Sequence, residues 1–387
     1  MSAMSSEPLT VTYKRRGDLN ILSDVWQPES GPTPNGDKIT VPAVVFFHGG
    51  GLTVGNRRSW FPEWLCKRFT KLGYLFISAD YSLIPPATGH DIVEDIKDLW
   101  SFILDPHNIF SFVNGGTQKD FVVQPDKIVV AGTSAGGLCA YLCAMHCVDP
   151  PPVALLSIYG MGGDFFTPHY LHEKHAPFFR GRELLDPSEF QEFVYPFQEG
   201  DSTFVSDSPL SHHPPTHPIP GYPSNPRMLL ARLYLQLGQF LDYYTGQHSP
   251  SLSRQLREIY DSYHQEHTQP STLKGASPPL DGGDDDSSRL WEAIESCLGQ
   301  HRNLFPQVNV VKGEGRWPRT VFLHGTADTA VPIGESRSME SQLKAIGVPT
   351  QLFEVEEEEH SFDLVPNAEE RFGVIFDKVT AFLHGVE

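Results

Sequence analysis

The chain alternates between short, continuously apolar runs and longer stretches whose apolar residues recur every three or four positions. The runs from Val41 to Phe47, Tyr74 to Ala79, Val153 to Tyr159, Thr320 to His324 and Gln351 to Val355 are rich in β-formers and too short for helices. Strands apolar throughout are covered on both faces, as in a parallel sheet. Between them, Trp60 to Leu72, the stretch carrying Ile92, Ile96, Leu99 and Ile103, Leu138 to Cys147, Glu335 to Ile346 and Ala368 to Leu383 carry the helical period. Val11 to Trp26 reads as a hairpin turning at Arg16-Gly17-Asp18, and Asn114-Gly-Gly as a loop leading to a central strand. The alternation predicts an α/β fold with a mostly parallel central sheet and helices on both faces.

The rhythm stops near Met161 and resumes after about Gly315. In between, Arg227 to Tyr244, Leu252 to Tyr260 and Arg289 to Leu298 read as helices, joined by Pro-rich and polar loops such as the run from Ser271 to Ser288. The expected organisation is a core in two parts, residues 1–160 and 316–387, with residues 161–315 inserted as a helical cap.

Composition narrows the function classes. A chain of 387 residues with 39% hydrophobic and 20% charged residues has ample length for a buried core. Its net charge of -19 argues against nucleic-acid or anionic-membrane binding, and no run is long enough to span a bilayer. The odd count of five cysteines, three of them (Cys139, Cys143 and Cys147) at helical spacing, suits reduced thiols in a cytoplasmic protein. Three thiols along one helix face cannot surround a metal ion. His212, His213 and His217 are interleaved with prolines and read as an exposed loop.

The chemistry concentrates where the central apolar run breaks into a helix, at Gly132-Thr133-Ser134-Ala135-Gly136. A strand turning directly into a helix holds its tip residue in strained backbone with the side chain clear of the sheet, the G-x-S-x-G arrangement of a nucleophilic serine. A serine hydroxyl needs a base, and the base an orienting acid. Asp328, just beyond the strand Thr320 to His324, and His360, after the next strand, follow in the order Ser, Asp, His. The oxyanion formed on attack needs fixed N–H donors. His48-Gly49-Gly50-Gly51 after an early strand and the amide of Ala135 supply them, with Gly50 and Gly51 the expected direct donors and Gly49 shaping the turn. An acyl pocket is expected from Phe165, Phe166, Tyr170, Leu52 and the helix around Leu229, Leu233 and Leu237. The acidic residues Glu354 and Glu356 to Glu359 crowd the approach to His360. They favour a protonated imidazole if they face it, and form a solvated surface if they do not.

These motifs together resemble the hormone-sensitive-lipase-like branch of the α/β-hydrolases, whose members carry H-G-G-G, D-Y-R-L-A-P-E and G-D/T-S-A-G-G motifs with a late Asp and His. The resemblance covers about Val41 to Tyr159 and Thr320 to Leu383. Leu52 stands where many relatives have an aromatic residue, Thr133 where many have Asp, and Ser82 and Pro86 replace an Arg and a Glu. The resemblance implies a serine esterase acting on a small or medium-sized carboxylic ester, with no metal or organic cofactor. Rival readings are an amide hydrolase similar to kynurenine formamidases, an enzyme that transfers or cyclises its acyl group in small-molecule biosynthesis, and a non-catalytic ligand receptor.

Overall fold

The structure is a computed structural model that describes residues 7–30, 38–197, 203–266, 285–311 and 317–385. The first six residues, most of the loop after Pro28, most of the polar run from Ser271 and the expected end of the insertion lie outside the described residues. The chain begins with the antiparallel hairpin β1 (Leu9–Arg16) and β2 (Leu19–Trp26), turning at Gly17 and Asp18. It continues through β3 (Ile39–Phe47), α1 (Glu63–Lys71), β4 (Leu75–Ala79), α2 (Gly89–Leu104), β5 (Phe110–Asn114), β6 (Thr117–Thr133), α3 (Ala135–His146) and β7 (Ala154–Ile158). Helices α4 (Pro168–Leu171), α5 (Arg227–Gln236), α6 (Phe240–Thr245), α7 (Leu252–Glu266), α8 (Asp285–Leu298) and α9 (Pro306–Val311) follow before the sheet resumes. The last part is β8 (Arg319–Gly325), α10 (Gly334–Ala345), β9 (Thr350–Val355) and α11 (Ala368–His384).

The sheet order is β1-β2-β4-β3-β6-β7-β8-β9, with β5 folded back antiparallel on the first half of β6. From β4 to β9 every neighbour along that order is parallel. Strand side chains alternate between faces, and the central strands divide accordingly. Val41, Ala43, Val45 and Phe47 join Ile128 and Val130 in one apolar cluster with the inner faces of α2 and α3. Val44 and Phe46 join Val129 and Ala131 in the other, against α1 and α11. There Trp64 stacks on Phe376 with ring centroids 4.0 Å apart. Both faces are thus covered by helices, which is why these strands read as unbroken apolar runs.

Two elements differ from the sequence expectation. The stretch around Asn114-Gly-Gly is a hairpin turn rather than a plain loop, because Gly115 and Gly116 both adopt positive φ and let β5 pair with β6. The helix expected from Arg227 to Tyr244 is broken into α5 and α6 by Gly238, which sits at φ 59° against the backbone of Leu171 to Glu173. Among the described residues no helix is long and apolar enough to cross a membrane. Cys139 and Cys143 are buried free thiols on α3, and Cys147 is another directly after it.

Candidate active site

Ser134 is the single residue between the end of β6 and the start of α3. Its backbone sits at φ 53°, ψ -121°, a region that costs of order 1–3 kcal/mol for an L-residue. Hydrogen bonds hold it there: its N–H donates to Ile158 O at 3.0 Å, and its carbonyl accepts from Gly137 N at 2.9 Å and Met161 N at 3.0 Å. The flanking glycines are dictated by close approach. A Cβ at Gly132 would lie 1.9 Å from the carbonyl oxygen of Gly136, and one at Gly136 would lie 2.0 Å from that of Phe47. The turn also points the N-terminal end of α3, with its unpaired N–H groups and positive dipole end, toward the serine.

His360 follows β9, and its Nδ1 donates to Asp328 Oδ2 at 2.7 Å. Asp328 is buried just past β8, and its other oxygen accepts from the N–H groups of Ala330 and Val331, both at 2.9 Å. A second imidazole, His324, stands 3.3 Å from Asp328 Oδ2 while its Nε2 donates to Val331 O at 2.9 Å. Burial alone would raise the Asp328 pKa, but hydrogen bonds from His324 and His360 outweigh it and hold the carboxyl well below its ordinary range. Asp328 is therefore ionised at neutral pH and holds the Nδ1 proton of His360, the tautomer in which Nε2 of the neutral ring carries no proton. Asp363, three residues beyond the histidine, bonds elsewhere: it accepts from Tyr159 Oη at 2.6 Å and Trp64 Nε1 at 2.9 Å.

The acidic run before His360 is spent on separate partners. Glu354 forms a two-pronged pair with Arg337, Glu358 pairs with Arg371, and Glu359 accepts from Arg180, Thr329 and the His360 N–H.

The loop after β3 turns its carbonyls away from the serine. Gly49 O accepts from His48 Nδ1 at 2.7 Å, and Gly50 O accepts from Thr53 N at 3.0 Å and Val54 N at 3.3 Å. Among the described residues no backbone carbonyl accepts from the N–H of Gly50, Gly51 or Ala135. Gly49 approaches the serine so closely that a Cβ there would lie 3.2 Å from Ser134 Cβ. The loop is braced from below by the segment after β4. Tyr81 stacks on His48 at 4.4 Å and donates to His48 O at 2.8 Å, and Asp80 accepts from Arg57 N at 2.6 Å and Arg57 Nη1 at 2.7 Å. Burial drops His48 to about 4, so it is a neutral ring serving as a support.

Ser134, His360, Gly49, Gly50 and Gly51 line one cavity of about 960 Å³. Of the expected acyl-pocket residues, Tyr170 and Leu229 line it. Leu52, Phe165 and Phe166 do not. Leu52 is fully buried in the core with φ 65°, turned inward by the glycine loop. Phe165 and Phe166 pack on Phe305, and Phe165 also on Tyr244. Leu233 is likewise fully buried within the insertion. The wall they were expected to form comes from Met228, Leu235, Phe240 and the loops around residues 179–185 and 219–223. His212 is exposed at this wall, and among the described residues no cluster of three or more His, Cys, Asp or Glu is set to hold a metal ion. Sequence reasoning also missed Arg227, whose guanidinium donates to the carbonyls of Thr53, Ile84 and Pro85 and so ties α5 to the glycine loop. An arginine at the first turn of a helix, where it opposes the dipole, was the available signal.

A family model described as the alpha/beta hydrolase fold matches residues 44–216. The chain is 22% identical over 366 residues to the "Probable carboxylesterase M8" of Phoma sp., covering 91% of this chain and 88% of that protein. It is 25% identical over 366 residues to the non-reducing polyketide synthase mapC' of Penicillium brevicompactum, covering 92% of this chain but only 14% of that synthase. Among solved structures, an alpha/beta hydrolase superfamily protein from Enterococcus faecalis aligns with a TM-score of 0.56 at 15% identity over 98% of both chains. Apo esterase 2 of Thermogutta terrifontis aligns with a TM-score of 0.52 at 16% identity, covering 99% of this chain and 96% of that one. The chain has the α/β-hydrolase fold.

Proposed function

We propose that the chain is a serine hydrolase that cleaves carboxylic esters of small or medium-sized molecules through an acyl-enzyme on Ser134. The observation that carries this reading is the shared cavity: a serine in a strained turn, a histidine oriented by a buried carboxylate, and unspent amides meet on its wall. Ser134 Oγ attacks the ester carbonyl while His360 Nε2 takes its proton. Asp328 stabilises the imidazolium. The N–H groups of Gly50, Gly51 and Ala135 receive the oxyanion, each donor being worth on the order of 3 kcal/mol in such sites. Collapse of the tetrahedral intermediate expels the alcohol, which takes the proton from His360. Water then repeats the sequence on the acyl-enzyme and regenerates Ser134. The insertion between β7 and β8 acts as a cap that shapes the substrate, since it supplies most of the cavity wall away from the sheet. The chain's similarity to a named carboxylesterase supports the reaction class. A panel of 4-nitrophenyl esters, matched anilides and N-formylkynurenine tests it: esters should turn over and the amides should not.

A second reading, acyl transfer to an alcohol or ring closure by the substrate's own hydroxyl, is favoured by the matches to non-reducing polyketide synthases across 92% of this chain. It uses the same acyl-enzyme, captured by an alcohol instead of water. Product analysis with added alcohol separates the two.

A further inference from the structure

Arg232 is the most deeply buried cation on the cavity wall. It follows Ala231 on α5, the residue packed against Gly51 so closely that a Cβ on that glycine would lie 2.2 Å from Ala231 Cβ. Arg232 therefore stands one residue from the proposed oxyanion loop. Its residue exposure is only 7%, and its Nε is buried with no hydrogen-bond partner. The guanidinium interacts with Tyr222 and Arg182, and among the described residues no carboxylate is one of the groups that act on it. Arg182, exposed at the mouth of the same cavity, adds a like charge. Burial and that neighbouring charge both lower the proton affinity of Arg232, so the site lacks an anion rather than a cation.

This is unusual in a chain with 48 acidic and 29 basic residues, where carboxylates to neutralise an arginine are plentiful. A buried charge left unpaired is costly, and guanidinium keeps its charge instead of losing its proton. A guanidinium presents its N–H donors in a planar fork that matches the two oxygens of a carboxylate, and Arg232 lines the cavity. Leu229, Leu235 and Phe240 line the cavity around it and suit an apolar body.

We propose that Arg232, assisted by Arg182, is a carboxylate-binding subsite, so that the ester cleaved by this chain carries an ionised carboxyl group on an apolar skeleton. The proposal deepens the esterase reading and rests on it for the word ester, but the subsite can be tested without hydrolysis. The test is equilibrium binding of octanoate, octanamide and octyl phosphate to the full chain carrying Ser134→Ala, by calorimetry or by the fluorescence of Trp60 on the cavity wall. Octanoate should bind about tenfold or more tighter than octanamide, as expected for a charge-assisted fork. Adding Arg232→Gln should bring the ratio to about one, Arg232→Lys should keep part of it, and Arg182→Gln should reduce it while leaving the buried wall intact. Octanamide binding verifies that each variant is folded. Equal affinities in the parent, a preference that survives Arg232→Gln, or tighter binding of octyl phosphate than octanoate would each overturn the proposal. A preference for octanoate in the Ser134→Ala chain, with no ester hydrolysed by the wild-type chain, would overturn the esterase reading alone.

Discussion

The hydroxyl of Tyr159 donates to Asp363 at 2.6 Å while its ring lies 4.4 Å from that of His360. The second carboxylate near the histidine thus acts on the ring beside it, and Trp64 completes the bond set at 2.9 Å. Asp363→Ala should leave a buried hydroxyl and indole N–H unpaired, destabilising the fold by about 1–3 kcal/mol and letting His360 shift. Asp363→Asn keeps an acceptor and should restore most of both. Denaturation midpoints and kcat for the two variants check this: a merely structural role would change stability without changing kcat.

Asp328 has the opposite function. Asp328→Asn preserves the shape but removes the charge that fixes the His360 tautomer, and kcat should fall on the order of ten-thousand-fold. Steady-state kinetics on a short acyl ester measure it. A loss of less than about tenfold would mean that another group orients the base.

Gly51 couples the glycine loop to the insertion. At φ 62°, with Ala231 Cβ in the way, Gly51→Ala is strained in its backbone and forces α5 outward. The variant should lose about a hundredfold or more in kcat, the scale of one lost oxyanion donor. Shortening the obstacle with Ala231→Gly should recover part of the loss, and the double variant is the measurement.

Glu335 is a buried carboxyl bonded to Tyr170 of the cavity wall. Burial pushes it up to about 8, while Gly162 N and Tyr170 Oη donate to it, both at 2.6 Å. A carboxyl with a raised folded pKa adds stability that is complete below its unfolded value near 4.3 and is lost as pH rises through the folded one. Wild type should therefore lose stability relative to Glu335→Gln between about pH 5 and 8. Urea midpoints of the pair across that window should converge or cross as pH rises. A constant difference would show that Glu335 is already ionised.

The parts of the site legible in the sequence are those whose backbone is set locally. The position of Ser134 was readable because a side chain presented between strand and helix needs Gly132 and Gly136 beside it, and those of Asp328 and His360 because each follows shortly after a late strand. The sheet was readable because strands covered on both faces are apolar throughout. The cavity wall was not. Whether Phe165 faces a ligand or Phe305 depends on how helices of the insertion pack on one another, and apolarity is the same in either case. The acidic run before His360 was ambiguous for a similar reason: its partners Arg337, Arg371 and Arg180 lie on three separate segments. Arg232 gave no local signal, since one arginine in a helix reads as a solvated charge.

The central claim is that Ser134 is the nucleophile, and intact-mass analysis after treatment with a fluorophosphonate tests it most directly. The wild-type chain should gain the mass of one phosphonyl group and lose ester hydrolysis in step, while Ser134→Ala should gain none and retain a folded melting transition. Labelling that persists in Ser134→Ala, or hydrolysis there above about a tenth of the wild-type rate where loss of such a nucleophile costs roughly a million-fold, would contradict the account.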